Sequence, residues 1–243
     1  LDDAAHGTKI FLMSRDEFTG WLEKASNAHK TWITVQGFTA KPGKAITFAK
    51  NNGQIEFGIG IYGDHAVWDG ASIAANLPNG QWQFVGHKSD IPDQLTECLA
   101  LGWSLGQYRF QKYRATPAAP INYLVIPKTV NVPRLLGQVR GIYLCRDLIN
   151  LPPNHMTPAA LEEEMKKLAK PYKARLKIHS GKTLERSFPA IHTVGRAAEI
   201  APRLMDLRWG KTGPKITLIG KGITFDSGGL NLKPSKAMEI MKK

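Results

Sequence analysis

Apolar residues along the chain recur with two spacings, and the changes between them fall at Gly, Pro and Asn. TKIFLMS (8–14) is an apolar run of strand length. SRDEFTGWLEKAS follows with a start signal at Ser14 and with Phe18, Trp21 and Leu22 at helical spacing, which predicts a helix. TWITVQGF (31–38), AITFAK (45–50) and QIEFGIGIYG (54–63), divided by turn residues such as NNG, predict strands. SDIPDQLTECLALGWSLGQYRFQKYR (89–114) has apolar residues spaced for a helix despite its glycines, and APINYLVIP (119–127) reads as a buried strand.

Two prolines interrupt the pattern in PKTVNVPRLL, which predicts an N-terminal α/β domain over 1–126, a linker over 127–136 and a further domain from 137 to 243. LLGQVRGIYLCRDLIN (135–150) reads as a long helix closed by LPPN. MTPAALEEEMKKLAKPY (156–172) carries Thr157 as N-cap and Pro158 at the first helical position. Its glutamates lie early and its lysines late, as a helix dipole favours, and these charges read as a solvated face. RLKIHS (175–180) is a strand, 189–210 continues the alternation as a helical block, and PKITLIGKGITFDSGG (214–229) is a second strand. Strands alternating with helices predict an α/β fold: a small N-terminal α/β domain, then the first part of an α/β/α domain around a largely parallel sheet.

Composition narrows the function classes. The net charge of +13 is unevenly divided: residues 1–133 hold 12 Lys and Arg against 11 Asp and Glu, whereas 134–243 hold 21 against 9. A basic second half can attract nucleic acid or anionic lipid. It lacks a run of adjacent basic residues and any interleaved aromatic pattern, so a nucleic-acid-binding module is the weaker reading. No apolar run approaches the roughly 20 residues of a membrane span, and the first residues lack a secretory pattern, so a soluble intracellular protein without a membrane partner is expected. Cys98 and Cys145 sit in apolar stretches without metal-like spacing and read as buried free thiols.

The stretch GKGITFDSGGLNLK (220–233) holds the candidate chemistry. KITLIG is apolar and β-branched, as a doubly buried strand would be, and ligands in open α/β sheets bind beyond the carboxyl ends of strands. A phosphate-binding loop requires glycines first and Lys-Ser/Thr last, which is the reverse of this order. DSGG echoes a serine-nucleophile sequence, but no histidine stands in a recognisable arrangement with Ser227, and His-Glu-x-x-His is absent. A carboxylate among small residues can bridge cations, and a lysine amine can ligate a metal that holds it deprotonated. The alternative, with Lys221 and Lys233 exposed and Asp226 only capping a turn, stays open on the residues alone.

GKGITFDSGGLNLKP followed by MEIMKK resembles the signature of the leucyl aminopeptidase, or cytosol aminopeptidase, family. LCRDLINLPPNHMTPAALEEEMKKLA and FPAIHTVGRAAEIAPRLMDLRWG resemble the blocks that precede it in that family, and LGWSLGQYRFQKY resembles the end of its N-terminal domain. The resemblance implies a metallo-exopeptidase with two divalent ions, Zn²⁺ or Mn²⁺, that removes leucine-like N-terminal residues from peptides through a metal-activated water. It implies Lys221 and Asp226 as metal ligands, Lys233 as the catalytic lysine and Met241 in the pocket for the substrate's first side chain. It also implies a cytoplasmic homo-hexamer acting on peptide substrates. The family's remaining ligands and its catalytic arginine fall beyond the position of Lys243, so the 243 residues alone are expected to be inactive. A non-catalytic fragment or degenerate scaffold is the alternative.

Overall fold

The computed structural model describes residues 7–87, 90–115, 122–224 and 234–238. The chain divides into two units, residues 1–144 and 145–243.

In the first unit, β1 (Thr8–Met13) takes the centre of a five-stranded sheet of order β2-β3-β1-β4-β5. It runs parallel to β3 (Ile55–Ile61) on one side and to β4 (Gln81–Gly86) on the other. β4 continues parallel to β5 (Tyr123–Val125), and β2 (Ala45–Ala49) pairs antiparallel with β3. β1 is apolar on both faces because both are covered. Met13, Phe18, Ile33, Ile46, Phe48, Ile59 and Ile61 form one core with α1 (Arg15–Lys24) and α2 (Asn27–Val35). Ile10, Leu12, Ile73, Trp82, Leu99 and Trp103 belong to the other, with α3 (Ala66–Asn76), α4 (Asp93–Gly106) and the first part of α5 (Val132–Asn150).

α1 opens as the sequence predicts. The Ser14 N–H donates to Glu17 Oε2 at 2.7 Å and the Glu17 N–H donates to Ser14 Oγ at 3.2 Å, a reciprocal cap that satisfies two backbone donors. α3 and α4 touch through glycines: a Cβ on Gly102 would collide with the Val67 carbonyl, and one on Gly70 with the Leu99 carbonyl. Asn122 ties the ends of several elements together. Its side-chain amide donates to Ala74 O at 2.8 Å and Leu77 O at 3.2 Å, while its Oδ1 accepts the Gly80 N–H at 2.8 Å.

The structure departs from the sequence expectations in places. TWITVQGF is not a strand; α2 runs through Val35, opened by Ser26 Oγ accepting the His29 N–H at 3.2 Å. Burying Ile33 on a helix while leaving Val35 69% exposed outweighs the β preference of the branched residues. The helix expected over 89–114 is confined to α4, starting after Pro92. β5 has three residues and is an edge strand with Tyr123 exposed, rather than a buried run; 119–121 lie outside the described residues. α3 and β4 are elements that the apolar pattern did not single out, and the thiols expected to be buried are not: Cys98 is half-buried and Cys145 exposed.

In the second unit, α6 (Pro158–Ala169) carries the expected cap: Thr157 Oγ1 accepts the Ala160 N–H at 3.2 Å, and Pro158 stands in the first turn. β6 (Arg175–Ser180) leads through α7 (Gly181–Ser187) and α8 (Pro189–Gly195) to β7 (Arg203–Arg208), which pairs antiparallel with β6. The block 189–210 is therefore only partly helical, because Pro202 closes the turn that precedes a strand. A short α9 (Ser235–Met238) follows.

Candidate functional site

Of the residues expected at the site, the structure describes Lys221, while Asp226, Lys233 and Met241 lie outside the described residues. Lys221 is exposed. The segment leading to it, residues 214–220, is not a strand, and Ile216, Leu218 and Ile219 are 81%, 91% and 95% exposed. The expectation of a buried strand fails here because a strand needs a ladder partner and covered faces. Among the described residues β6 and β7 pair with each other, and no third strand lies beside them.

The stretch after Lys221 is anchored. Thr224 is 8% exposed, and a Cβ built on Gly222 would stand 3.2 Å from Leu161 Cδ2 on α6. The backbone beside Lys221 thus lies within reach of a leucine side chain of α6. α6 is in turn linked to β7, since Arg203 Nε stands 3.1 Å from Glu162 Oε2, with only 15% and 17% of the two side chains exposed. The arginine's Nε and Nη1 are buried without a hydrogen bond among the described residues, so the contact is an ion pair rather than an aligned hydrogen bond.

Lys166 also reaches Glu162, at 2.7 Å. The hydrogen bond from Lys166 outweighs the opposing effect of burial and, with the charges of Lys166 and Arg203, holds the Glu162 carboxyl below its ordinary range. Glu162 is thus not part of a purely solvated face. Sequence reading missed it because its partner lies forty-one residues away, at the start of a strand that was expected to be helical. Lys167, at 70% exposure, does stand in water as expected.

Among the described residues no group of three or more His, Cys, Asp or Glu side chains could hold a metal ion. Lys221 is the one expected ligand that the described residues include, and one donor does not compose a two-cation centre.

Comparison with known proteins is decisive at the level of family. A model of the M17 aminopeptidase N-terminal domain matches residues 9–127, and a model of the cytosol aminopeptidase family catalytic domain matches residues 143–243. The chain belongs to the cytosol aminopeptidase family. It is 31% identical, over an alignment 259 positions long, to a probable cytosol aminopeptidase of Wolinella succinogenes, covering 98% of this chain and 52% of that one. It is 34% identical over 167 residues to a probable cytosol aminopeptidase of Aquifex aeolicus, covering 65% of this chain and 34% of the relative. The crystal structure of cytosol aminopeptidase from Coxiella burnetii matches with a TM-score of 0.86 at 34% identity, over 99% of this chain and 52% of that chain. The chain spans about half the length, or less, of these relatives. The fold is that of the family: an N-terminal α/β domain with helices on both sides of a mostly parallel mixed sheet, followed by part of the catalytic domain.

Proposed function

We propose that this chain is the N-terminal domain and the first part of the catalytic domain of a metal-dependent aminopeptidase that removes leucine-like N-terminal residues from peptides. The observation that carries the reading is the catalytic-domain match over 143–243, which runs through Lys221, Asp226, Lys233 and Met241. In this reading Lys221 and Asp226 are donors to two divalent cations, Zn²⁺ or Mn²⁺. Lys233, kept charged, faces the oxygen of the scissile carbonyl and stabilises it as negative charge builds there. Met241 lines the pocket for the first side chain of the substrate. A cytoplasmic homo-hexamer is the assembly the reading carries with it, and the relatives' name, cytosol aminopeptidase, agrees with that location. No helix among the described residues is long and apolar enough to cross a membrane. The domain scheme proposed is 1–126, a linker over 127–136 and 137–243; the N-terminal family model ends at residue 127, and the compact units divide after residue 144.

The test is hydrolysis of leucyl-p-nitroanilide with added Mn²⁺ by the longest natural polypeptide that contains this sequence. Activity that disappears in Lys233→Ala supports the reading. An inactive polypeptide supports a non-catalytic scaffold instead. The 243 residues assayed alone are expected to be inactive.

A further inference from the structure

The hairpin of β2 and β3 contains a register shift that aims a carboxylate into an aromatic cleft. Phe48 pairs with Phe57 and the next residue, Ala49, pairs with Ile55, so Glu56 is an extra residue in the ladder. A bulge of this kind breaks the alternation of a strand and re-aims one side chain. Phe57 packs in the core beneath α1 and α2, whereas Ile55 packs on the opposite core, and Glu56 between them lines a cleft on the α2 side together with His29, Trp32 and Phe48.

The cleft has a volume of about 550 Å³. Trp32, His29 and Phe48 form its aromatic side, and Ala28, Ala49, Lys50 and Asn51 complete the lining with Glu56. Trp32 is 41% exposed, yet its indole N–H donates to Thr47 O on the edge strand at 2.9 Å, which holds the ring in place at the rim. His29 meets Phe48 edge-on with ring centres 4.9 Å apart, and Trp21 stacks behind His29 at 6.0 Å. Glu56 has no ion-pair partner among the described residues; Lys50 lines the same cleft without pairing to it. A half-exposed tryptophan held in place beside a carboxylate that forms no ion pair is an arrangement that attracts an organic cation: the ring favours the diffuse charge and the carboxylate supplies the counter-charge.

We propose that this cleft of the first unit is a binding site for a quaternary or alkylated ammonium group, independent of the proposed peptidase activity. The head group lies against Trp32 and His29 with Glu56 as its counter-ion. Two sources share this chemistry, a free small molecule such as choline and an alkylated lysine side chain on a peptide.

The experiment follows the Trp32 indole N–H resonance of the whole 243-residue chain during titration with tetramethylammonium, choline and a short trimethyllysine peptide. The neutral carbon isostere of choline, 3,3-dimethyl-1-butanol, is the control. Saturable shifts are expected with Kd on the order of millimolar for an open site of this kind, with the neutral isostere about tenfold weaker or worse. Glu56→Gln, an exposed and isosteric change that leaves folding intact, is expected to weaken binding of the cations about three- to tenfold without altering that of the isostere. Tighter binding of choline than of the peptide assigns a small molecule, and the reverse assigns a side chain. Equal binding of cation and isostere, an unchanged Kd in Glu56→Gln, or no saturable shift at about 50 mM of every cation overturns the proposal.

Discussion

Gly222 lies against Leu161 so closely that a Cβ on it would stand 3.2 Å from Leu161 Cδ2. The backbone next to Lys221 thus meets a helix whose start is written in sequence as Thr157-Pro158 and which is linked to β7 by the Arg203–Glu162 pair. Adding a methyl at this contact pushes either the leucine side chain or the loop. Because the end of a leucine side chain yields, Gly222→Ala is expected to cost at most about 1 kcal/mol of stability, and Gly222→Val about 1–3 kcal/mol. Thermal melts of both variants check the order, and a stabilised Gly222→Val would contradict the contact.

Asn122 is 7% exposed and holds three backbone groups from the ends of α3 and the start of β4. Replacing it by Leu keeps the volume but leaves the Gly80 N–H and the Ala74 and Leu77 carbonyls without that partner. Each buried group left unsatisfied costs about 1–3 kcal/mol, so Asn122→Leu is expected to destabilise the first unit by about 3 kcal/mol or more. Urea denaturation followed by tryptophan fluorescence measures it. A loss under about 1 kcal/mol would mean that the network contributes little.

Glu17 gives the N-terminal unit an acid-sensitive element. Burial, the largest single influence on its carboxyl, pushes its pKa up, but hydrogen bonding with Ser14 and Tyr62 and the charge of His87 together hold it below the ordinary carboxylate value. A depressed folded-state pKa adds stability that is present above the unfolded value of roughly 4.3 and lost as pH falls through the folded value. The native chain should therefore lose stability as pH is lowered below about 4.3, and Glu17→Gln should lose less over that window. Paired melting curves at neutral pH and across the acid range test this. Identical acid slopes for the two proteins would remove Glu17 from the account.

Legibility in the sequence followed how local the determining physics was. α1 and α6 were readable because Ser14, Glu17, Thr157 and Pro158 act within one turn of their own helices. TWITVQGF was misread because the deciding fact is not its branched residues but the burial of Ile33 and the reach of Trp32 to Thr47, both tertiary. KITLIG has the composition of a buried strand, yet composition does not supply a neighbour to pair with, and the segment stands exposed. Family membership was legible from the glycine-rich stretch around Lys221, because GKGITFDSGGLNLKP resembles the family's signature and lies within the catalytic-domain match. The placement of Asp226, Lys233 and Met241 lies outside the described residues, so their roles rest on the family motif. Glu162 and Arg203 had no local signal, since their meeting depends on how a helix and a distant strand pack.

Lys221 and Asp226 as joint ligands of a cation pair form the central claim. Crystals of the longest natural polypeptide containing this sequence, soaked in Mn²⁺ and measured for anomalous scattering, test it most directly. Two manganese peaks, one within bonding distance of Lys221 Nζ and both near the Asp226 carboxylate, are expected. Fully occupied manganese elsewhere in the molecule, with Lys221 Nζ still in solvent, would contradict it.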